Sequence, residues 1–367
     1  MDLKSLNIDQ MEAFARSLGW PPYRSRQLLQ WIYQKGAVDF TEMTNLSKAD
    51  RRRLEEQAVL GRLGWDRHRL SADGTEKFLF RLSDGQQIEA VLIPGDDTTE
   101  PEQRRLPAPS NARQAGRLTL CISTQVGCTL DCRFCLTGTM GLVRNLTAHE
   151  IVDQVLEVQR YLGHSRRLTN IVLMGMGEPL ANYREVVEAL SRLTHLKMVG
   201  ISPRRITLST SGLVPQIRQL GQTGLGINLA VSLNATTDAG RHQIMPAVNR
   251  LYPLKELIAA CRAYPLPPRR RLTFEYVLLS GINDTEEDAK RLVKLVRGIQ
   301  CKVNLIPFNE FSGAPYQRSA DETVLRFQKI IADAGLPAFI RKSRGRDILA
   351  ACGQLRTEVV GKAPSML

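Results

Sequence analysis

Cys128, Cys132 and Cys135 occur in a C-x3-C-x2-C spacing, close enough in sequence for three thiolates to reach one soft metal centre. Most iron–sulfur cubanes take four cysteines. A triplet leaves one iron open to a ligand that is not protein, which turns a structural cluster into a reactive one. The spacing alone leaves a second arrangement open, a zinc ion with Cys121 or another side chain as its fourth ligand. The chain has seven cysteines, an odd number, and four of them crowd between residues 121 and 135. That distribution excludes a secreted disulfide framework. Cys352 stands alone near the C-terminus. Cys261 follows Leu254, Leu257 and Ile258 on one helical face and is read as core; Cys301 opens a strand and is read as structural too. The five histidines show no metal-ligand spacing.

These side chains need a scaffold, and the hydrophobic pattern supplies one. From residue 117 onward, strand-like runs at 118–123, 170–174, 205–209, 226–232, 271–279, 302–307 and 338–341 are mostly separated by helical patterns. Strand alternating with helix predicts an α/β fold with a parallel sheet covered by helices. The number of units fits a full or partial (β/α) barrel; a doubly wound open sheet is the alternative. The distinctive residues fall just after strands, at the rim where barrels carry active sites. The triplet follows the first strand and Gly175-Met176-Gly177-Glu178-Pro179 the second. Ser209 and Ser232-Leu233-Asn234 end the next two, and Asn309 follows the sixth.

Upstream, residues 1 to about 60 have helical spacing at Gln27, Leu28, Trp31 and Ile32, with Met43, Leu46 and Leu54 as a second packed face. Residues 77–82 and 87–93, joined through Asp84-Gly85, predict a β-hairpin. Residues 95–116 are rich in Pro, Asp, Glu, Arg and Ser and predict a loop or linker. The expected organisation is a helical unit at 1–70, a β extension and linker at 71–116, and the barrel with a C-terminal segment at 117–367.

The chain has 367 residues and a formal net charge of +13. A basic excess of this size points to a polyanionic partner, most simply nucleic acid, or else to a solvated surface serving solubility. Basic and aromatic residues interleave at Trp20, Tyr23, Arg24, Arg26, Trp31, Tyr33 and Lys35, before Arg51-Arg52-Arg53. They are read either as an RNA-binding appendage or as a bundle whose aromatics are core. No apolar run is long enough to span a bilayer and no signal-peptide pattern opens the chain, so no membrane partner and a cytoplasmic location are expected.

The triplet with Phe134 before its last cysteine, together with Gly-Met-Gly-Glu-Pro after the next strand, resembles the radical SAM superfamily. The similarity goes further. Residues 120–128, Ala351-Cys352-Gly353-Gln354-Leu355, Ser232-Leu233-Asn234-Ala235, 304–309, Tyr23-Arg24, Gln27, Trp31 and 43–48 resemble the RlmN family of radical SAM RNA methyltransferases across nearly the whole chain. That resemblance implies a partial barrel of the radical SAM type. It implies a 4Fe-4S cluster on Cys128, Cys132 and Cys135, with S-adenosylmethionine (SAM) on the open iron. Gly177 and Glu178 are expected to hold the amino end of SAM, and Ser209, Ser232, Leu233, Asn234 and Asn309 to contact the rest. Many relatives carry His where this chain has Asn234; both hydrogen-bond.

The implied reaction is methylation of carbon 2 of adenosine, in 23S rRNA at the peptidyl-transferase centre and in tRNA at the adenosine after the anticodon. That carbon lies between two ring nitrogens and is too electron-poor to attack a sulfonium methyl, a difficulty that radical addition avoids. In the family a cysteine near the C-terminus first takes a methyl and then crosslinks to the base, and a second cysteine releases the product through a disulfide. By match, Cys352 is the methyl carrier, Cys121 the resolving thiol and Glu89 the proton acceptor. An electron donor such as a flavodoxin-type reductant and a thiol reductant are the further partners implied. The alternatives are a Cfr-type relative acting on carbon 8 and a non-catalytic iron–sulfur RNA-binding protein.

Overall fold

The computed structural model describes residues 1–95, 116–163 and 165–357. Apart from its two ends, the expected linker at 95–116 lies outside the described residues.

The N-terminal unit is built from helices with self-sufficient ends. Helix α1 (Ile8–Ser17) starts at Asn7, whose side chain accepts from the Gln10 amide while the Gln10 side chain accepts from the Asn7 amide. Helix α2 (Tyr23–Leu29) runs into a π-turn at Gln30–Gln34, and Ser47 caps α3 (Lys48–Gln57). Met11, Leu28, Ile32, Met43, Leu46 and Leu54 are buried between them. Trp20, Trp31 and Tyr33 are buried as well, so the interleaved aromatics are mainly core; Tyr23 is exposed, as are Arg26, Lys35, Arg52 and Arg53. Lys4 docks this unit on the barrel. Its ammonium reaches Asp153 of the first barrel helix at 2.9 Å with both side chains out of solvent.

The helical unit does not extend to residue 70. Strand β1 (Gly64–Leu70) pairs antiparallel with β2 (Glu76–Arg81), which pairs antiparallel with β3 (Gln87–Pro94). Six of the seven β1 residues are exposed, and an edge strand facing water carries no apolar alternation to be read from sequence. Strand β3 pairs antiparallel with β4 (Leu118–Cys121), with Val91 opposite Cys121. The Gly95 amide donates to the Arg117 carbonyl at 2.6 Å, so the two described ends of the linker lie side by side.

The barrel follows. A short ribbon of β5 (Gln125–Gly127) and β6 (Leu142–Asn145), absent from the sequence reading, interrupts the first unit. Then come α4 (Ala148–Leu162), β7 (Asn170–Leu173), α5 (Tyr183–Thr194), β8 (Ile206–Thr210), α6 (Val214–Gln222) and β9 (Asn228–Ser232). Helices α7 (Asp238–Ile244), α8 (Pro246–Leu251) and α9 (Leu254–Ala263) lead to β10 (Leu272–Leu278). The last units are α10 (Glu286–Leu295), β11 (Cys301–Pro307), α11 (Asp321–Asp333) and β12 (Ala338–Ile340).

The sheet order is β1-β2-β3-β4-β7-β8-β9-β10-β11-β12, parallel from β4 onward. Each parallel strand lies beside its predecessor. A doubly wound sheet must reverse its order at a switch point; this one does not, so it is a partial barrel. Period-2 alternation sorts the strand side chains. On β10, Tyr276 packs against Phe327 of α11 with ring centroids 5.3 Å apart, while Glu275 and Val277 face the interior.

Candidate active site

The thiol triplet sits on the loop between β5 and β6. Gly127, just before Cys128, has φ +74, and a Cβ on it would overlap the Gly141 carbonyl oxygen. The ribbon that holds the loop therefore requires glycine there. Gly127→Ala is expected to displace the loop and lower the iron content of the reconstituted protein to roughly a tenth of wild type, because both φ and packing oppose the new side chain; iron analysis and the visible absorbance check it.

Cys132 is buried beside Leu130, Ile244, Met245 and Phe308, with Cys128 and Cys135 packed against the same cluster. The Leu130 amide points at Cys128 Sγ at 3.4 Å. Burial pushes Cys128 up to about 12 and Cys132 well above the usual thiol range; for Cys132 the charges of Cys135 and Cys128 add to the effect. Among the described residues, no three His, Cys, Asp or Glu side chains converge on a single metal ion. A zinc ion needs its sulfurs about 2.3 Å from one point. Thiols that instead face a shared space suit a polynuclear centre whose irons each take one thiolate.

That space is a cavity at the C-terminal rim of the barrel. All three triplet cysteines line it, and so do Gly177, Glu178 and Ser209. Ser232, Asn234, Asn309 and Cys352 complete the expected set there. Leu233 does not: alternation at the end of β9 turns its side chain into the core, and its amide donates to the Glu275 carbonyl at 2.9 Å. Asn234 has φ 58, and its Oδ1 accepts from the Val277 amide at 2.9 Å. A Cβ on Gly177 would come within 2.6 Å of Gln125, so the chain there lies flat against the triplet ribbon.

Glu178 is buried and heavily used. Oε1 accepts from the Leu180 amide at 3.0 Å and the Thr210 hydroxyl at 2.7 Å, and Oε2 accepts from the Ser211 amide at 2.7 Å. It caps the turn Pro179–Asn182 and ties the loops after β7 and β8 together.

After β12 the chain returns across the cavity as a strap. Gly345 donates to Asp73 at 3.0 Å, and Lys77 Nζ donates to the Leu349 carbonyl at 3.0 Å. Asn309 Nδ2 donates to the Cys352 carbonyl at 3.2 Å, and the Leu136 amide to the Gly353 carbonyl at 2.7 Å. These contacts bring Cys352 to the triplet from far along the sequence. Cys352 is exposed by area and lines the cavity; the protein packed near it, then the charge of Glu275, pushes its thiol up to about 11.

Cys121 does not line the cavity. It is 6% exposed and packs with Val91, Met176, Ala350 and Leu355. Burial first, then Cys352, raises its pKa far above the usual thiol range. Its apolar cluster is separate from that of the triplet. All seven cysteines are free thiols.

Glu89 also lies outside the cavity lining, on the face of β3 that carries Val91. It is 5% exposed rather than a solvated strand residue. Its Oε1 meets Lys77 Nζ at 2.8 Å, and its Oε2 accepts from the Arg356 amide at 3.0 Å. Burial raises its pKa against the pull of Lys77.

Sequence reasoning missed Lys77, which bridges Glu89 and the strap, and Gln125, whose Oε1 accepts from the Glu178 amide at 2.9 Å. It also missed Glu275. A lone acid within Leu272-Thr273-Phe274-Glu275-Tyr276-Val277-Leu278 is the signal that could have found it, since carboxylates are rarely buried without a use.

Residues 1–60 match the model of the ribosomal RNA large subunit methyltransferase N-terminal domain, and residues 122–293 match that of the radical SAM superfamily. The dual-specificity RNA methyltransferase RlmN of Geobacter sulfurreducens is 49% identical over 365 residues, covering 100% of this chain and 94% of that protein. The chain belongs to the RlmN family. The protein of the same name from Geotalea uraniireducens is 49% identical over 356 residues, covering 97% of this chain and 96% of its own. The crystal structure of a radical SAM methyltransferase from Sphaerobacter thermophilus is 45% identical and superposes with a TM-score of 0.87, covering 98% of this chain and 100% of that one. For this RlmN family member the superfamily match opens one residue after Cys121 and contains the triplet, Gly177, Glu178, Ser209 and 232–234. Glu89, Cys121 and Cys352 lie outside it. Among the described residues no helix is long and apolar enough to cross a membrane.

Proposed function

We propose that this chain methylates carbon 2 of adenosine in 23S rRNA and in tRNA, using a 4Fe-4S cluster and SAM. The observation that carries this reading is the convergence of the triplet and Cys352 on one cavity, with Cys121 buried against the same strap. The residues fit both groups. Three soft thiols face a shared space, and Asn309 Oδ1 is a buried acceptor with no donor at the cavity wall. When bound, the cluster and SAM supply a 5′-deoxyadenosyl radical by one-electron cleavage, and SAM also supplies the methyl group.

The chain's own residues do the rest. Cys128, Cys132 and Cys135 hold the cluster inside an apolar wall that keeps water from it. Gly177 lets a ligand approach the backbone, while Glu178 fixes the two loops around it. Cys352 presents its sulfur from the strap as methyl carrier. Cys121, shielded by Val91, Met176, Ala350 and Leu355 until the strap moves, then attacks Sγ of Cys352 in the crosslink; the bond from that sulfur to the methylene on the base breaks, the carbon leaves with the electron pair and is protonated to the methyl, and a Cys121–Cys352 disulfide remains for a cellular thiol to reduce. Glu89 accepts the carbon-2 proton once the Arg356 amide releases its carboxylate, with Lys77 favouring its charged form against burial. The target base must leave its stack to enter the cavity, and the net positive charge favours RNA at the rim.

Anaerobic incubation of the cluster-loaded protein with reductant, SAM and RNA, followed by nucleoside mass spectrometry, is expected to give 2-methyladenosine and 5′-deoxyadenosine. Exclusive formation of 8-methyladenosine, or no SAM turnover, overturns the proposal.

A further inference from the structure

Glu275 is a second buried carboxylate of the cavity wall, and no turn or loop depends on it as a cap. It lies in the middle of β10, 8% exposed, opposite Ser232 of β9 and Asn304 of β11 in register. The Ser209 hydroxyl donates to its Oε2 at 3.1 Å. Burial raises its pKa; Ser209, Arg341, Asn304 and Lys302 act in the opposite direction. Enclosing a carboxylate in protein is costly unless something at the site favours its charge.

The other carboxylate of the cavity, Glu178, accepts from three donors of its own chain and serves the loops. Glu275 has no such capping role. Nearby, two buried acceptors, Asn304 Oδ1 and Asn309 Oδ1, have no donor at all. A wall with a buried carboxylate that caps no turn, and with the orphaned acceptor Asn309 Oδ1, complements a ligand that brings positive charge and N–H or O–H groups.

We propose that Glu275 is the counter-charge for the sulfonium of SAM, the residue by which the cavity prefers this cation over neutral S-adenosylhomocysteine. The inference rests on the reading of the cavity as a SAM site. The two molecules differ by one methyl group and one unit of charge, so shape and hydrogen bonding alone separate them little. A fixed negative charge in a water-poor cavity separates them strongly, because Coulomb attraction there is far larger than in bulk water. The same device lets the spent, neutral cosubstrate leave when the methyl has gone.

Equilibrium binding of each ligand to the anaerobic, cluster-loaded protein, without RNA or reductant, tests this. The wild-type protein is expected to bind SAM roughly tenfold to a hundredfold more tightly than S-adenosylhomocysteine. Glu275→Gln, which keeps an acceptor for Ser209, is expected to weaken SAM to near the S-adenosylhomocysteine value and leave the latter within about twofold. Glu275→Asp, which keeps the charge, is expected to retain the preference. Equal weakening of both ligands in Glu275→Gln marks contact with a neutral group and overturns the inference, as does an unchanged preference. Should Glu275→Gln not fold, equal wild-type affinities, or loss of preference in a folded Glu275→Asp, overturn it. A wild-type protein that binds neither ligand instead defeats the SAM reading beneath it.

Discussion

Cys352→Ala is expected to abolish RNA methylation while leaving iron content and SAM binding at wild-type levels. With Cys352 as the proposed methyl carrier, its removal leaves no slower route, so the loss is about 10³-fold or more, as for an enzymatic nucleophile. The cluster survives because Cys352 reaches the cavity on the strap, whereas the triplet stands on its own ribbon between β5 and β6. The strap is pinned through its backbone at Cys352 and Gly353, and alanine leaves those bonds intact. The measurements are methyl incorporation from labelled SAM, iron per chain, and equilibrium binding of SAM. A variant that loses its iron shows instead that Cys352 is a fourth cluster ligand and ends its assignment as methyl carrier.

Cys121→Ala is expected to do the opposite to the RNA: to trap it. Without the resolving thiol, the crosslink between Cys352 and the base has no exit, and protein accumulates as a covalent RNA adduct that survives denaturation. Multiple turnover is expected to fall about 10³-fold while the first half of the reaction proceeds. Structural damage is modest, since the cost of deleting one buried sulfur in the small cluster of Val91, Met176, Ala350 and Leu355 is roughly 1–2 kcal/mol. Denaturing gel electrophoresis with labelled RNA reads the adduct, and nuclease digestion with mass spectrometry places it on Cys352. Free methylated product at the wild-type rate removes Cys121 from the mechanism; loss of iron makes it a ligand.

The two variants separate because the structure keeps the two thiols in different surroundings. Cys352 is at the cavity, with a pKa of about 11, and Cys121 is behind it, further raised by burial. For both, burial disfavours the thiolate. The strap that carries Cys352 has only one short helical turn, Arg346–Ile348, and is otherwise held by hydrogen bonds to loops and side chains, so it opens at less cost than a strand within the sheet.

Much of this is legible in the sequence. The seven barrel strands fall within two residues of their expected ends, because buried parallel strands are near-continuous apolar runs with a clear signal. The helices of residues 1–60 appear for the same reason, through faces such as Met43, Leu46 and Leu54. Strand β1 did not appear, since it shows its side chains to water, and the three-residue β5 is too short to set a period. The cysteine spacing and the Gly177-Glu178 pair marked the cavity correctly as a place, but not the division of labour within it. Glu178 proved to be a cap as well as a wall, and Leu233 offers the site only its backbone.

The triplet, its position after the first barrel strand, and the two outlying cysteines are properties of the sequence by itself. Spacing along a chain determines which thiols share a loop, because a short loop cannot separate them. Two other matters belong to the tertiary structure alone. One is that Cys352, more than two hundred residues from the triplet, faces the same cavity while Cys121 is hidden behind it. The other is that Glu275, a lone acid in an apolar strand, turns into that cavity beside Ser209. Both depend on strand register and on where the strap is pinned, and those are set by packing between distant segments, which no local pattern records.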